Sequence, residues 1–183
     1  RQSSSAASDV YKRQVEATVE ITSQFLSDGP VFWEEDADGQ QISVDVRQDG
    51  IATDEALDVA VLVNGGSASA SEILAGALQD AGRARLVGEP TFGKGTVQEW
   101  NELPGDNGGY RLSVAKWLTR EKQWVDEGGL TPDVVVLGEG QRFRAGSDEV
   151  APDDDPQLRS AVALLLGDPL PSPSASPDVA PEG

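Results

Sequence analysis

The segment NGGSASASEILAGALQD, Asn64 to Asp80, sets serines at positions 67, 69 and 71 where an apolar run gives way to helical spacing. Downstream, TFGKGTVQ, Thr91 to Gln98, places a lysine between two glycines. A serine at the start of a helix is well placed to attack a carbonyl. The helix N-terminus offers unpaired N–H groups and about half a positive charge, and such N–H groups can hold an oxyanion. Serines spaced by two point in different directions there, so the three cannot all serve. Ser69 and Glu72 equally fit an S-x-x-E capping box, in which the hydroxyl merely closes the helix.

A nucleophilic serine needs a proton acceptor. The chain has no histidine and no cysteine, which excludes a Ser–His triad, a zinc site and a disulfide framework. A carboxylate or a neutral lysine is left. A lysine amine becomes a base only where desolvation disfavours its charged form. Lys94 follows Phe92 in a loop with no other charge from Pro90 to Gln98. That setting suits a desolvated amine, although a solvated loop lysine has the same local sequence.

The elements that must position these residues follow from periodicity. Val15 to Ser27 is expected to be a helix, with Ala17, Ile21 and Phe25 on one face and Val15, Val19 and Leu26 beside it. Gly29-Pro30 ends it. VFWEED and QISVDVR flank a turn at Asp38-Gly39, and the alternation of Ile42, Val44 and Val46 predicts one buried face. LDVAVLVN, Leu57 to Asn64, is nearly all apolar and is expected to be a central strand covered on both faces. A helix over residues 69–81 stops at Gly82. ARLVGE is a short strand, TVQEWNEL and YRLSVAKWLT form a hairpin across PGDNGG, and DVVVL, Asp133 to Leu137, is a further strand. Gln157 to Leu166 is an amphipathic helix, and the Pro/Ser-rich residues 168–183 are expected to be disordered. Together these elements make a mixed α/β domain.

Length and charge bound the rest. A chain of 183 residues is one domain with tails. A net charge of −18 without a basic stripe excludes nucleic acid and anionic lipid as partners. The triplet Asp153 to Asp155 lacks the glycine and spaced ligands of a calcium loop and is read as solvated surface, so no metal is expected. RQSSSAASDVYKRQ, residues 1–14, resembles a sequencing-adapter scar and is set apart from fold reasoning as a non-native leader. The chain is then expected to be the back part of a longer protein.

SASASEILAGALQDAGRARLVGEPTFGKGTVQ, with AKWLTREKQWVDEGGLTPDVVV and DDDPQLRSAVALLL after it, resembles the carboxyl-terminal processing (tail-specific) proteases from about Val15 to Leu166. The resemblance implies a crotonase/ClpP-like α/β fold, with a catalytic core at 15–138 and a closing segment at 139–167. It implies a Ser–Lys dyad. Ser69 would be the nucleophile, Lys94 the general base, Gln98 the residue that orients the amine, and the Ala70 N–H one oxyanion donor. Asp80 would support the architecture. No cofactor is implied. Substrates would be proteins with apolar C-terminal tails, captured by a PDZ domain upstream, in the periplasm or cell envelope. The family's second oxyanion N–H comes from an upstream strand that this sequence does not contain, so low activity of this chain is expected. Two alternatives stand beside the peptidase. A catalytically dead, peptide-binding relative would lose Ser69, Lys94 or Gln98, and all three are present. A crotonase-like acyl-CoA enzyme would need two oxyanion donors and carboxylates rather than a Ser–Lys pair.

Overall fold

The computed structural model describes residues 5–48, 50–103, 105, 108–126, 128–137 and 155–170. Asp153, Asp154, half of the PGDNGG turn and the Pro/Ser tail beyond Leu170 lie outside the described residues. Helix α1, Ser5–Thr22, precedes the hairpin β1 (Pro30–Asp36) and β2 (Gln41–Asp45). Strand β3 (Ala60–Val63), helix α2 (Ala70–Asp80) and strand β4 (Arg85–Gly88) follow. The hairpin β5 (Thr96–Glu102) and β6 (Gly109–Leu118), the short β7 (Val134–Val135) and helix α3 (Pro156–Leu166) complete the order.

Two sheets result. One is antiparallel in the order β2-β1-β6-β5, and the other is parallel in the order β3-β4-β7. The β3-α2-β4 unit explains the second: parallel neighbours need a crossover, and α2 supplies it. Gly88 is required where β4 ends beside β3. At its φ of 135° a Cβ would sit 2.0 Å from the Val63 carbonyl oxygen. Helix α2 packs on β1, β4 and α1, and it buries Glu72, Ile73, Ala75, Gly76, Ala77 and Leu78. Ile73 and Leu78 join Val31, Phe32, Leu86 and Trp117 in the core, each contributing about 2 kcal/mol by leaving water.

Three expectations are corrected. Helix α1 ends at Thr22 rather than running to Ser27; of the apolar residues read from its spacing, Val19 and Leu26 are buried and Val15 and Phe25 pack against the core. Val19 and Thr22 are buried, whereas Ala17 and Ile21 point to solvent. Polar residues share the buried side, and the Thr22 hydroxyl there has no hydrogen-bond partner among the described residues, whereas its neighbours bond locally. Thr18 donates to the Gln14 carbonyl at 2.9 Å, and the buried Ser23 hydroxyl accepts the Arg47 N–H at 2.8 Å. Strand β3 lies at the edge of its sheet with Leu62 exposed, because β4, not β3, has neighbours on both sides. Of the alternating Ile42, Val44 and Val46, the two valines pack against the core, whereas Ile42 is exposed, with nothing over it among the described residues. Helix α1 begins at Ser5 and runs unbroken through Gln14, a stretch without glycine or proline. Among the described residues no helix is long and apolar enough to cross a membrane.

Candidate active site

The turn after β3 sorts the three serines. Asn64 accepts the Gly66 N–H on its side chain at 2.8 Å and the Ser67 N–H on its carbonyl at 2.8 Å, and the Ser67 hydroxyl accepts the Asn64 N–H at 3.2 Å. Ser67 therefore belongs to the turn. Ser71 lies in the first turn of α2 and is exposed. Ser69 is the N-cap, with φ 57° and ψ −114°. That combination lies outside the allowed regions for a residue with a Cβ and costs roughly 1–3 kcal/mol. The Ser69 side chain faces the Glu72 N–H as in a capping box, yet it makes no capping hydrogen bond.

Glu72 performs the capping instead, and more. It is fully buried. Its Oε2 accepts the Ser69 N–H at 2.8 Å and the Lys94 N–H at 3.0 Å. Its Oε1 accepts the Thr91 hydroxyl at 2.6 Å and the Gly93 N–H at 2.7 Å. Because one oxygen lies 2.8 and 3.0 Å from the two backbone nitrogens, Ser69 N and Lys94 N are no more than about 5.8 Å apart. From the sequence alone Glu72 is expected only as part of a capping box. A sharper signal was available: a glutamate beside the apolar face of a buried helix has to find several donors.

The loop carrying Lys94 is tied at every residue. The Thr91 N–H donates to the Leu130 carbonyl at 3.1 Å, and the Thr91 hydroxyl accepts the Leu130 N–H at 2.7 Å. The Phe92 N–H donates to the Ser67 carbonyl at 2.9 Å, which joins this loop to the serine turn directly. From Gly93 to Gln98 burial alternates. Gly93, Gly95 and Val97 are buried, Lys94 and Thr96 half-buried, and Gln98 exposed. Lys94 and Gln98 thus lie on one face. Lys94 is less enclosed than its sequence context suggests. Pairing between β5 and β6 skips Val114 opposite the Val97/Gln98 step, a bulge directly beside Gln98. Among the described residues no hydrogen bond joins the Ser69 hydroxyl to the Lys94 amine. Such contacts often tighten only when substrate is bound.

The first turn of α2 leaves one donor open. The Ser69 N–H goes to Glu72, the Ser71 N–H to Ala68 and the Glu72 N–H to Ser69. The Ala70 N–H has no acceptor among the described residues and lies next to Ser69. Asp80 stands at the far end of α2, where its Oδ2 accepts the Glu121 N–H at 2.8 Å. It ties the helix end to the turn after β6, remote from Lys94. A polar cavity of about 480 Å³ also lies at that far end, lined by Phe25, Asp28, Arg83 and Arg120, and shares no residue with this constellation. Among the described residues no cluster of acidic side chains could hold a metal ion. The arrangement brings together a serine nucleophile candidate, an adjacent free N–H, and a lysine on a facing loop.

Comparisons with known proteins bear on the family. A model of peptidase family S41 matches residues 14–136. The chain is 39% identical over 153 residues to a carboxyl-terminal-processing protease of Synechocystis sp., covering 84% of this chain and 34% of that protein. It is 37% identical over 185 residues to a carboxy-terminal-processing protease of Bartonella bacilliformis, covering 84% and 42%. Among solved structures it resembles a photosystem II D1 C-terminal processing protease with a TM-score of 0.60 and 36% identity, over 67% of this chain and 31% of that one. The chain thus spans less than half the length of these relatives.

Proposed function

Since the chain belongs to peptidase family S41, we propose that it carries the catalytic dyad of a serine endopeptidase that trims proteins near their C-termini. Ser69 Oγ attacks the peptide carbonyl carbon as Lys94 Nζ accepts its proton. The Ala70 N–H faces the oxyanion. As the C–N bond breaks, the Lys94 ammonium returns the proton to the leaving amine. Water then attacks the acyl ester, Lys94 takes a proton from it, and Ser69 recovers its own. Gln98 orients the amine from the same face of β5, and Asp80 supports the scaffold. No cofactor enters these steps.

The observation that carries this reading is the shared carboxylate oxygen of Glu72, which brackets Ser69 and Lys94 through their backbone N–H groups. The strained N-cap supports it further: a serine serving only as a cap would sit in extended backbone. Following the resemblance drawn from the sequence, the proposed substrates are proteins with apolar C-terminal tails, captured by a PDZ domain, with an extracytoplasmic site of action. Residues 15–138 form the catalytic core on this reading, and 139–167 close it.

Labelling with a fluorophosphonate followed by peptide mapping tests the assignment. Adduct on Ser69, absent from Ser69→Ala and strongly reduced in Lys94→Ala, is expected. Adduct on Ser67 or Ser71 would place the nucleophile elsewhere.

A further inference from the structure

Lys94 and Gly95 are held by side chains at all four of their backbone polar groups. The Lys94 N–H goes to Glu72 and the Gly95 N–H to Asp126 Oδ1 at 3.2 Å. The carbonyls are taken by indoles. Trp117 Nε1 donates to the Lys94 carbonyl at 2.7 Å, and Trp124 Nε1 donates to the Gly95 carbonyl at 3.0 Å. The Trp117 N–H adds a second bond to the Gly95 carbonyl at 3.1 Å.

We infer that Trp117 and Trp124 are positioning residues for the base, fixing the peptide from which the Lys94 amine reaches Ser69. This rests on the reading of Lys94 as that base.

The two indoles are anchored differently. Trp117 is 1% exposed and belongs to the core, so its N–H is aimed by packing from all sides. Trp124 is 48% exposed and is steadied from outside. The Lys116 ammonium lies 4.6 Å from its ring centroid, and Lys116 also pairs with Glu35 at 3.7 Å. Gly95 is the residue that lets Trp124 approach. A Cβ there would lie 2.6 Å from the indole Nε1 and 2.9 Å from the Asp126 nitrogen. The F-G-K-G spacing thus has a structural reason on its second glycine: the clamp closes only over a bare backbone.

A half-buried lysine with a long, flexible stem gains its reach from the frame of its Cα. Phenylalanine at 117 would keep the packing but remove the N–H, leaving the Lys94 carbonyl without its donor. A displacement of about 1 Å in a reacting group can lower a rate about 100-fold.

The test uses the 183-residue chain with Trp117→Phe, Trp124→Phe and Trp33→Phe. Trp33 is the control, because its indole also donates to a backbone carbonyl, that of Arg120 at 3.2 Å, away from Lys94. Two readouts are taken: amide hydrogen exchange at Lys94 and Gly95, and the maximal inactivation rate and half-saturating concentration for a fluorophosphonate. Trp117→Phe should speed exchange at these two amides about tenfold. It should also slow maximal inactivation by about 10–100-fold with the half-saturating concentration unchanged. Trp124→Phe should do the same to a smaller extent, and Trp33→Phe should do neither. A Trp117→Phe chain matching the Trp33→Phe chain in both readouts overturns the inference. A wild-type chain that does not label leaves the exchange comparison to decide. Lys94→Ala separates the two claims: if it labels at the wild-type rate, the dyad reading falls, whatever the exchange shows about the clamp.

Discussion

Helices α2 and α3 are both 11 residues long, and they begin in opposite ways. Helix α3 starts from Asp155 in extended backbone, φ −92° and ψ 107°. The side chain accepts the Gln157 and Leu158 N–H groups at 2.9 and 3.0 Å, and Pro156 takes the first turn. Its C-cap, Gly167, sits in the left-handed region. The N-cap, the proline and the C-cap there all favour the helix. Helix α2 starts from Ser69 at positive φ with no side-chain capping bond, and a buried glutamate one turn on takes up the Ser69 N–H. One helix start is built for stability. The other gives up that stability and leaves a hydroxyl and an N–H unspent beside a lysine loop.

Substitutions at the two starts should therefore separate activity from stability. Ser69→Ala is expected to lower peptide cleavage by 10⁴-fold or more on the scale of roughly 10⁶ for loss of a serine nucleophile, with unfolding free energy changed by no more than about 1 kcal/mol. Cleavage kinetics alongside urea unfolding checks both halves. Lys94→Arg should be equally inactive, since a guanidinium keeps its proton; robust cleavage by that variant would remove lysine as the base. Glu72→Ala should lower stability by about 3 kcal/mol or more, because it strands three backbone N–H groups and the Thr91 hydroxyl in a dry site. A loss under about 1 kcal/mol in the same unfolding experiment would mean that Glu72 is not the fastener described. Asp155→Ala should lose about 1 kcal/mol and leave cleavage unchanged. Ser69→Gly should be inactive yet more stable by about 0.5–1 kcal/mol, since glycine relieves the positive φ. A Ser69→Gly protein less stable than wild type would show that the N-cap is not strained.

Much of the site was legible in local sequence. The serine run lies at a strand-to-helix turn, and the lysine lies between glycines, because turn and cap chemistry are written within a few residues. The choice of Ser69 among three serines is not legible from spacing and rests on a resemblance; the backbone torsions set Ser69 apart from Ser67 and Ser71 without showing its role. The exposure of Ile21 and the burial of Thr22 and Ser23 were not legible, because hydropathy counts Thr and Ser as surface and Ile as core. The strand at Ala60–Val63 looked central because apolar runs usually mean cover on both faces, whereas its place at an edge depends on how sheets assemble.

By itself, the sequence determined which chemistry is available. Without histidine or cysteine, a serine must pair with lysine or a carboxylate, and periodicity places both candidates at the ends of elements. Only the tertiary structure decided who holds whom. Glu72, Trp117, Trp124 and Asp126 converge on two residues, Lys94 and Gly95, from 22 to 31 positions away. The physical reason is that a buried backbone carbonyl or N–H must find a partner. Which partner it finds depends on packing across sheets, which no local pattern of residues encodes.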